Sequence, residues 1–507
     1  MDSRKTYFSR RTALKTIIVG AVAGPAFGCK HQERAPRVEK PAPSGCPHAQ
    51  VGGEDFTQGH SKRDGFAFPK TEAQESCEIA IIGGGPSGLC AAHFLQDREI
   101  VLLEKETHLG GNCTSDSWHD VAFSTGAAFY SEGDHELVDL MREVGAPGMP
   151  IEGGDSLIVR GEPFFDFFGD GAARLPFPER VRDDFKRSAD AMAVFHERHT
   201  ARDLDGRLFS DLLSSYAPEL MQFWDRFGSS NWGAEARHTS ARLGVQAYGW
   251  LRGDEKRLSY PGGLGVGARA LTSALTSKLP GRLRSGTFVH HVENDPGKRG
   301  VLVHSLRDGE PHTLRANAVI MALPKFFASR IVQDLGDEQR AAMREYRYAP
   351  YPVFNVCLAG RGPEPAYDNW FLDAPFADFI PADWVLYAGR GPADRKTALT
   401  VYHPLPETRR AELLDDAQLV QMADEVVAHL DRHFPGIKQR VEQVQVFRRG
   451  HALALPTPGQ LARAELASRS EGRIVFAHSD SRGDVSSFPG ALRAAKVAAS
   501  AARALLT

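Results

Sequence analysis

Apolar and polar positions fall into three regimes along the chain. Thr16 to Phe27 is a nearly unbroken apolar run, residues 30 to 76 show no sustained apolar period, and from Cys77 onwards short β-branched runs alternate with helical spacings. The run Cys77-Glu78-Ile79-Ala80-Ile81-Ile82 suits a buried parallel strand, because a strand covered on both faces reads as continuously apolar. A helix over Ser87–Gln96 and a second strand over Ile100–Glu104 follow it. Later come a helix from Val266 to Leu279, strands at Thr287–Val292, Val301–Ser305 and Thr313–Arg315, and the apolar run Ala318 to Leu323. Leu419, Met422, Val426 and Leu430 repeat at helical spacing and face a core. A last apolar strand near Ile474–Ala477 precedes an Ala-rich helix running from Ser487 towards Leu506. Strands alternating with helices predict an α/β fold.

The first regime reads as an address. Arg4, Lys5, Arg10, Arg11 and Lys15 precede the apolar run, and no acid lies between Ser3 and Gln32. A basic segment before a short apolar one marks an export signal, and the run is shorter than the roughly 20 residues of a spanning helix. Ser9-Arg10-Arg11-Thr12-Ala13-Leu14-Lys15 resembles a twin-arginine motif, with Ala13 where Phe is usual. Two processing sites remain open: cleavage after Ala21-Val22-Ala23, or lipidation of Cys29 in Gly28-Cys29. The expectation is an exported protein, periplasmic or tethered to the membrane through the N-terminus. Residues 30–76, rich in Pro, Gly, Lys, Glu and His, read as a flexible linker. Cys46, His48 and His60 in it match no familiar metal spacing, and no metal site is expected.

Composition narrows the partners. Of 507 residues 61 are Lys or Arg and 64 are Asp or Glu, a net charge of −3, which excludes a polybasic nucleic-acid binder. Six cysteines cannot form the disulfide framework of a small secreted scaffold. Glycine is in excess, at 49 residues, and its positions matter. The first strand runs into Gly83-Gly84-Gly85-Pro86-Ser87-Gly88: Gly83 for the tight turn, Gly85 for close approach of a pyrophosphate, Gly88 for packing of the helix on the strand. The helix N-terminus then offers free N–H groups to phosphate. Glu104 ends the second strand 21 residues after Gly83, the place of an acid that accepts from adenosine ribose hydroxyls. Strand, turn, helix, strand and acid in this order predict dinucleotide binding.

Which dinucleotide follows from Lys105 to Asn112. The doublet Gly110-Gly111 resembles that of FAD enzymes in the amine oxidase and protoporphyrinogen oxidase superfamily, and Val121-Ala122-Phe123-Ser124-Thr125-Gly126-Ala127 is similar to the segment those proteins pass beside the isoalloxazine ring. The arginine that usually follows the doublet is Asn112 here, as in UDP-galactopyranose mutases. Ser259-Tyr260-Pro261-Gly262-Gly263 resembles the family's aromatic-Pro-Gly-Gly turn. Gly472 to Asp480, with Ser487-Phe488-Pro489-Gly490-Ala491-Leu492, resembles its second flavin motif. The resemblance implies a Rossmann-like FAD-binding domain assembled from residues 77–130, 256–324 and 456–507. An α+β substrate domain takes residues 131–255 and 325–455, after an export signal at 1–29. It implies FAD, dissociable because no cysteine follows Cys357, held by Gly83, Gly85, Pro86, Ser87, Gly88, Glu104, Lys105, Gly110, Gly111, Asn112, Gly126, Ala127, the backbone at Val289, Asp480, Phe488 and Ala491. Asp480 would hold a ribityl hydroxyl. The helix opening at Phe488 would stabilise negative charge at the flavin N1/O2 edge.

Hydride transfer to flavin needs orientation and exclusion of water more than an acid–base pair. The lysine that amine oxidases place near N5 is replaced by Asn355 in Tyr351-Pro352-Val353-Phe354-Asn355-Val356-Cys357-Leu358, and His451 is a second candidate facing the active cavity. Phe164, Phe165, Phe167, Phe168, Phe223, Trp224, Phe227, Trp232, Tyr248, Trp250, Trp370, Phe371 and Phe379 serve as core or line a pocket. Cys90 reads as buried and inert; Cys113 lies nearer the flavin. The expected activity is hydride transfer from an amine or other small organic substrate to flavin N5. The alternatives are a desaturase, dehydrogenase or isomerase on an apolar substrate, and a non-catalytic flavin-binding lipoprotein.

Overall fold

In the computed structural model, residues 49–252, 256–295 and 300–506 are described. The export signal with Cys29, and Cys46 and His48, lie outside them. Two sheets organise the rest. The first gathers the predicted nucleotide strands in the order Leu283–Arg284, Ile100–Leu103, Glu75–Ile82, Glu310–Met321, Val301–Arg307, Thr287–Asn294, with Ile474–Phe476 also paired to Glu310–Met321. Thr313–Arg315 and Ala318–Met321, expected as separate runs, are one strand. Its first half pairs antiparallel with Val301–Arg307 and its second half parallel with Ile79–Ile82 and Ile474–Phe476. One strand therefore fastens the three-stranded meander to the parallel sheet.

Helices Pro86–Phe94, Gly265–Lys278 and Phe488–Ala504 cover one face of this sheet, burying Leu89, Ala92, Leu271, Leu492 and Ala499 against Ile79, Ile81, Leu102 and Ile320. The small residues of the last helix let it lie close, as its alanines suggested. His135–Glu143 joins the same core through Leu137, Val138, Leu140 and Met141. On the other face, Ala328, Ile331, Ala342, Met343, Tyr346 and Tyr348 pack on Val319 and Met321. Residues 131–146 and 325–348, expected in the substrate domain, thus pack with the nucleotide domain, because their apolar stripes complete its core.

The second sheet has eight strands, in the order Ala49–Gly53, Val441–Arg448, Val353–Leu358, Thr397–Tyr402, Asp378–Pro381, Asp368–Phe371, Asp155–Val159, Glu162–Phe165. One face buries Phe354, Val356, Phe371, Phe379, Leu399 and Val401 against helix Asp416–His433, whose Leu419, Met422, Val426 and Leu430 face inwards. Beside the sheet, a helical layer that includes Glu179–Arg198, Pro218–Trp232 and Ala241–Arg252 encloses an aromatic core of Phe168, Phe185, Phe223, Trp224, Phe227, Trp232, Tyr248 and Trp370. Most of the aromatic candidates are therefore core, while Phe165 and Trp250 are exposed.

The segment expected as a flexible linker is ordered from Ala49 onwards. Ala49–Gly53 adds a parallel edge strand to Val441–Arg448, and Thr57–Arg63 forms a short helix. Among the described residues no helix is long and apolar enough to cross a membrane.

Candidate functional site

The glycine turn is built by exclusion. Gly83 has φ +108°, and a Cβ there would lie 2.7 Å from the Ala322 carbonyl oxygen. A Cβ on Gly88 would overlap the Gly83 carbonyl oxygen, so glycine alone lets the helix begin against the strand end. Gly85 differs: a Cβ there would meet nothing nearer than Gly111 Cα at 3.7 Å. That open side is where a pyrophosphate fits. Helix Pro86–Phe94 has Gly85 as its cap, no side chain caps it, and Pro86 donates no N–H, so the first-turn donors, Ser87 and Gly88 among them, face the same space.

Four further segments converge here. Gly110 N–H donates to Gly84 O at 2.9 Å, laying the glycine doublet against the first turn. A Cβ on Gly111 would stand 2.9 Å from Gly85 Cα. Ala127 N–H donates to Asn112 O at 3.0 Å, which brings the Ser124–Ala127 segment to the doublet. Glu104 accepts from Gly84 N–H at 2.6 Å and Glu106 N–H at 2.8 Å; burial raises its pKa against those bonds. Thr287 N–H donates to Glu104 O at 2.7 Å, so Val289 lies on the strand beside the ribose acid, at a bulge in that strand's pairing. Lys105, expected at the cofactor, instead turns its ammonium to Asp55 O and Glu106.

Asp480 sits at the end of Ile474–Phe476, wholly buried with the fully buried Lys325 at 2.7 Å. Tyr348 OH donates to the same carboxylate at 2.5 Å and His478 lies 3.0 Å away. Burial opposes its charge, yet His478 and Lys325 outweigh burial and hold the carboxyl far below its usual range. Asp480 is thus the anchor of a polar knot, and a ribityl hydroxyl would share oxygens already engaged. Phe488 and Ala491 are buried at the start of the last helix, where Ser487 caps Gly490 N–H at 3.1 Å.

Arg449 is the functional side chain the sequence reading passed over. It is 7% exposed and forms no ion pair among the described residues. Its guanidinium donates to Thr125 O at 3.1 Å, Gly111 O at 3.2 Å, Asn112 Oδ1 at 3.3 Å, Thr114 Oγ1 at 2.6 Å and Thr125 Oγ1 at 3.3 Å. Burial works against this charge. Glu54 and Glu106 lie near enough to support the charge but do not bond it, and a dinucleotide would add two phosphate charges to a buried cation that no carboxylate pairs. The position next to the doublet holds Asn112, whose Nδ2 donates to Ala452 O at 2.8 Å, and a guanidinium arrives there from the other domain. Only the adjacent pair Arg448-Arg449 hinted at it, and nothing local tells which of the two is buried. The open side of Gly85, the uncapped helix and the lone buried cation together fit FAD.

The face of the second sheet opposite helix Asp416–His433 looks at this segment. Asn355 Nδ2 donates to Ser124 O at 3.2 Å and its Oδ1 accepts from Thr400 Oγ1 at 2.7 Å. Tyr402 OH donates to Gly126 O at 2.9 Å. Asn355 is therefore a fastener between sheet and flavin segment, fully buried, with no charge to offer. Tyr351, Tyr402, Tyr367, Ile380 and Trp384 form an apolar cluster on the same side. His451 stacks on Phe326 at 4.1 Å, and burial with Arg410 nearby pulls its pKa down to about 3, so it is neutral near pH 7. Cys113 is 4% exposed and burial pushes its thiol up to about 12; Cys90 is wholly buried and is pushed up further, so neither is a thiolate nucleophile.

Comparison with known proteins agrees with this geometry. Residues 86–503 match the family described as flavin containing amine oxidoreductase. The oxidoreductase PigB of Serratia sp. (strain ATCC 39006) is 23% identical, over 85% of this chain and 75% of that protein. Putrescine oxidase with putrescine bound superposes with a TM-score of 0.66 at 18% identity, covering 86% of this chain and 100% of that one. Cyclohexylamine oxidase from Brevibacterium oxydans IH-35A gives 0.66 at 17%, covering 84% and 98%. At such identities the structural likeness speaks for the fold.

Proposed function

The chain belongs to the flavin-containing amine oxidoreductases and is an FAD-dependent oxidoreductase, and from that premise we propose that it is exported and oxidises an amine or other small organic substrate. FAD, bound non-covalently, supplies the hydride acceptor. Gly83, Gly85, Ser87 and Gly88 bind its pyrophosphate, Glu104 its ribose, and Arg449 fastens the doublet to the Ser124–Ala127 segment beside the ring. Tyr402 and Asn355 hold that segment against the second sheet, and the cluster of Tyr351, Tyr367, Ile380 and Trp384 excludes water from the substrate's place. The observation that carries the reading is the convergence of Gly85, Gly111 and Gly126 around an uncapped helix and an unpaired buried arginine.

Anaerobic mixing of the purified holoprotein with a panel of amines tests it: bleaching of the oxidised flavin band, with peroxide released on admitting oxygen, is the expected result. Failure of every small molecule to bleach the flavin would support the non-catalytic reading. A second reading, a dehydrogenase or desaturase that passes electrons to something other than oxygen, draws on Asn355, whose amide is spent on Ser124 and Thr400 where a cation would serve oxygen. Flavin bleaching without oxygen uptake favours it. Export is supported by the basic and apolar pattern of residues 3–27, and mass spectrometry of the mature N-terminus tests it: acylated Cys29 and a free amine at Gly24 are the two processed forms.

A further inference from the structure

Between the edge strand Ala49–Gly53 and the nucleotide strand Glu75–Ile82, residues 54–74 form an arch fixed at both ends by the sheets it joins. No residue of this arch is buried, its helix Thr57–Arg63 included, and Phe66 is 58% exposed. A segment that hides so little apolar surface gains little from lying down, so it opens locally far more readily than the sheets at its ends. Polar and ring contacts at a few places hold it closed.

One foot stands on the second sheet. Glu54 N–H donates to Arg448 O at 3.2 Å, Glu54 accepts from Gly450 N–H at 3.0 Å, and the Arg448 guanidinium lies over the Phe56 ring at 5.7 Å. Gly450 follows Arg449, the buried guanidinium at the glycine doublet. One residue on, Asp55 has crossed to the nucleotide domain. Its N–H donates to Glu106 at 3.2 Å and its carbonyl accepts from Lys105 Nζ at 3.0 Å, both just past the ribose acid Glu104. The helix then brings His60 and Arg63 near enough to His451 to bear on its charge. The other foot stands on the meander. Phe68 stacks on His290 at 5.1 Å and meets Phe288 edge-on at 5.5 Å, the residues either side of Val289. Lys70 pairs with Glu293 at 3.0 Å, and the Thr71 and Thr313 hydroxyls share a hydrogen bond at 3.0 Å. A run of aromatic rings, Phe288, Phe327, Phe326 and His451, joins the two ends at successive centroid distances of 6.0, 6.4 and 4.1 Å.

These contacts fall beside residues assigned to the cofactor, and those residues belong to both domains. We infer that residues 54–74 are a retaining strap: closed, they span the seam that holds FAD, and FAD enters and leaves only when they lift. The inference rests on the placement of FAD among Gly85, Glu104, Val289 and Arg449. Glu54 and Asp55 cross between Gly450 and Glu106 in consecutive residues, so a ligand seated between Arg449 and Glu104 has no passage on that side while both bonds stand. Charge acts in the same direction. The strap helix has no acid in its first turn and carries His60, Lys62 and Arg63 in its last, Arg63 being paired with Asp64, so the phosphates of a dinucleotide favour the closed strap. By linkage, a strap that FAD draws closed also tightens the hold on FAD.

Hydrogen exchange of the full chain, read by mass spectrometry with and without FAD, tests the closure. Relative to helix Asp416–His433 on the far face of the second sheet, the amides of residues 54–71 are expected to exchange at least about fivefold more slowly in the FAD-loaded protein. Exchange there that FAD leaves unchanged would overturn the strap, and this arm needs no variant. Flavin fluorescence reads passage. In Phe68→Ala and Lys70→Ala, FAD is expected to leave about tenfold faster and also to enter the apoprotein faster. Faster entry is the signature of a gate, because a damaged fold releases FAD sooner without taking it up sooner. Faster release with unchanged or slower uptake in folded variants would overturn the gate. Should the purified chain bind no FAD, the placement falls and the strap with it. Should it bind FAD while exchange and both rates stay unmoved, the strap alone falls.

Discussion

At single residues, the glycines of the first turn divide by what a methyl group would meet. Gly85→Ala has room in the chain itself, 3.7 Å to Gly111 Cα, but its Cβ would stand in the pyrophosphate's place. It should fold, with thermal unfolding of the apoprotein unchanged, and lose FAD binding by flavin-fluorescence titration; retention of flavin would contradict this placement. Gly88→Ala overlaps backbone and should fail to fold or lose about 3 kcal/mol or more. Arg449 separates charge from bracing. Arg449→Met should weaken FAD binding at least about tenfold and lower the flavin midpoint potential, since a cation beside the ring favours its reduced, more negative form. Arg449→Lys keeps the charge and loses the five-way brace. It should keep the potential and still weaken affinity; an unchanged potential in Arg449→Met would leave a purely structural role. The contrast explains what was legible. Glycine and Glu104 roles follow from backbone chemistry within a few residues, whereas Arg449 acts on Asn112 from 337 residues away, a distance no local pattern spans.

Among the elements, strands and helices of the nucleotide domain were legible because each is bounded by its own signals: β-branched runs, a glycine turn, a small-residue helix. The edge strand Ala49–Gly53 was not, since alanine, glutamine, valine and two glycines have no strand pattern until Val444–Arg448 supplies the ladder. That segment then ties two domains together. Glu54 accepts from Gly450 N–H at 3.0 Å, and Asp55 N–H donates to Glu106 at 3.2 Å, next to the loop after Glu104. A chain beginning at Phe56 should lose about 2–4 kcal/mol from forfeited ladder bonds and Val51 packing. It should also expose the Val441–Arg448 edge to self-association. Denaturant unfolding and light scattering check both, and wild-type values in each would show the strand to be dispensable. Which core a helix joins was hidden for a related reason. Helix His135–Glu143 and residues 325–348 carry apolar stripes, and a stripe shows that a helix packs, not which sheet it packs on.

For the whole molecule, buried titratable groups of two kinds oppose each other in pH. His403 and His290 are 2% and 1% exposed, and burial lowers them to about 3 and about 4, with Arg409 and Lys62 adding to it. Their folded pKa lies below the unfolded value, so the unfolded chain takes up protons first. Their contribution to stability is complete above about pH 6.5 and is lost as pH falls towards the folded values. Asp368 and Asp378 are raised, so the folded chain holds protons that the unfolded chain has shed. Their contribution is present at low pH and is lost as pH rises from about 4 through about 7. The two slopes overlap between about pH 4 and pH 6.5 and largely cancel, which a measurement on the native chain alone would read as indifference to pH. Variants separate them. Relative to the native chain, His403→Asn should gain about 2 kcal/mol as pH falls from about 6.5 to about 5, because it lacks the imidazole whose protonation favours unfolding. Asp378→Asn should gain, on the same scale, as pH rises from about 4 to about 7, because it lacks the carboxyl whose ionisation inside the fold is costly. Denaturant unfolding of both proteins across that range decides it. Parallel curves for either variant and the native chain would mean that the group keeps its unfolded pKa in the fold.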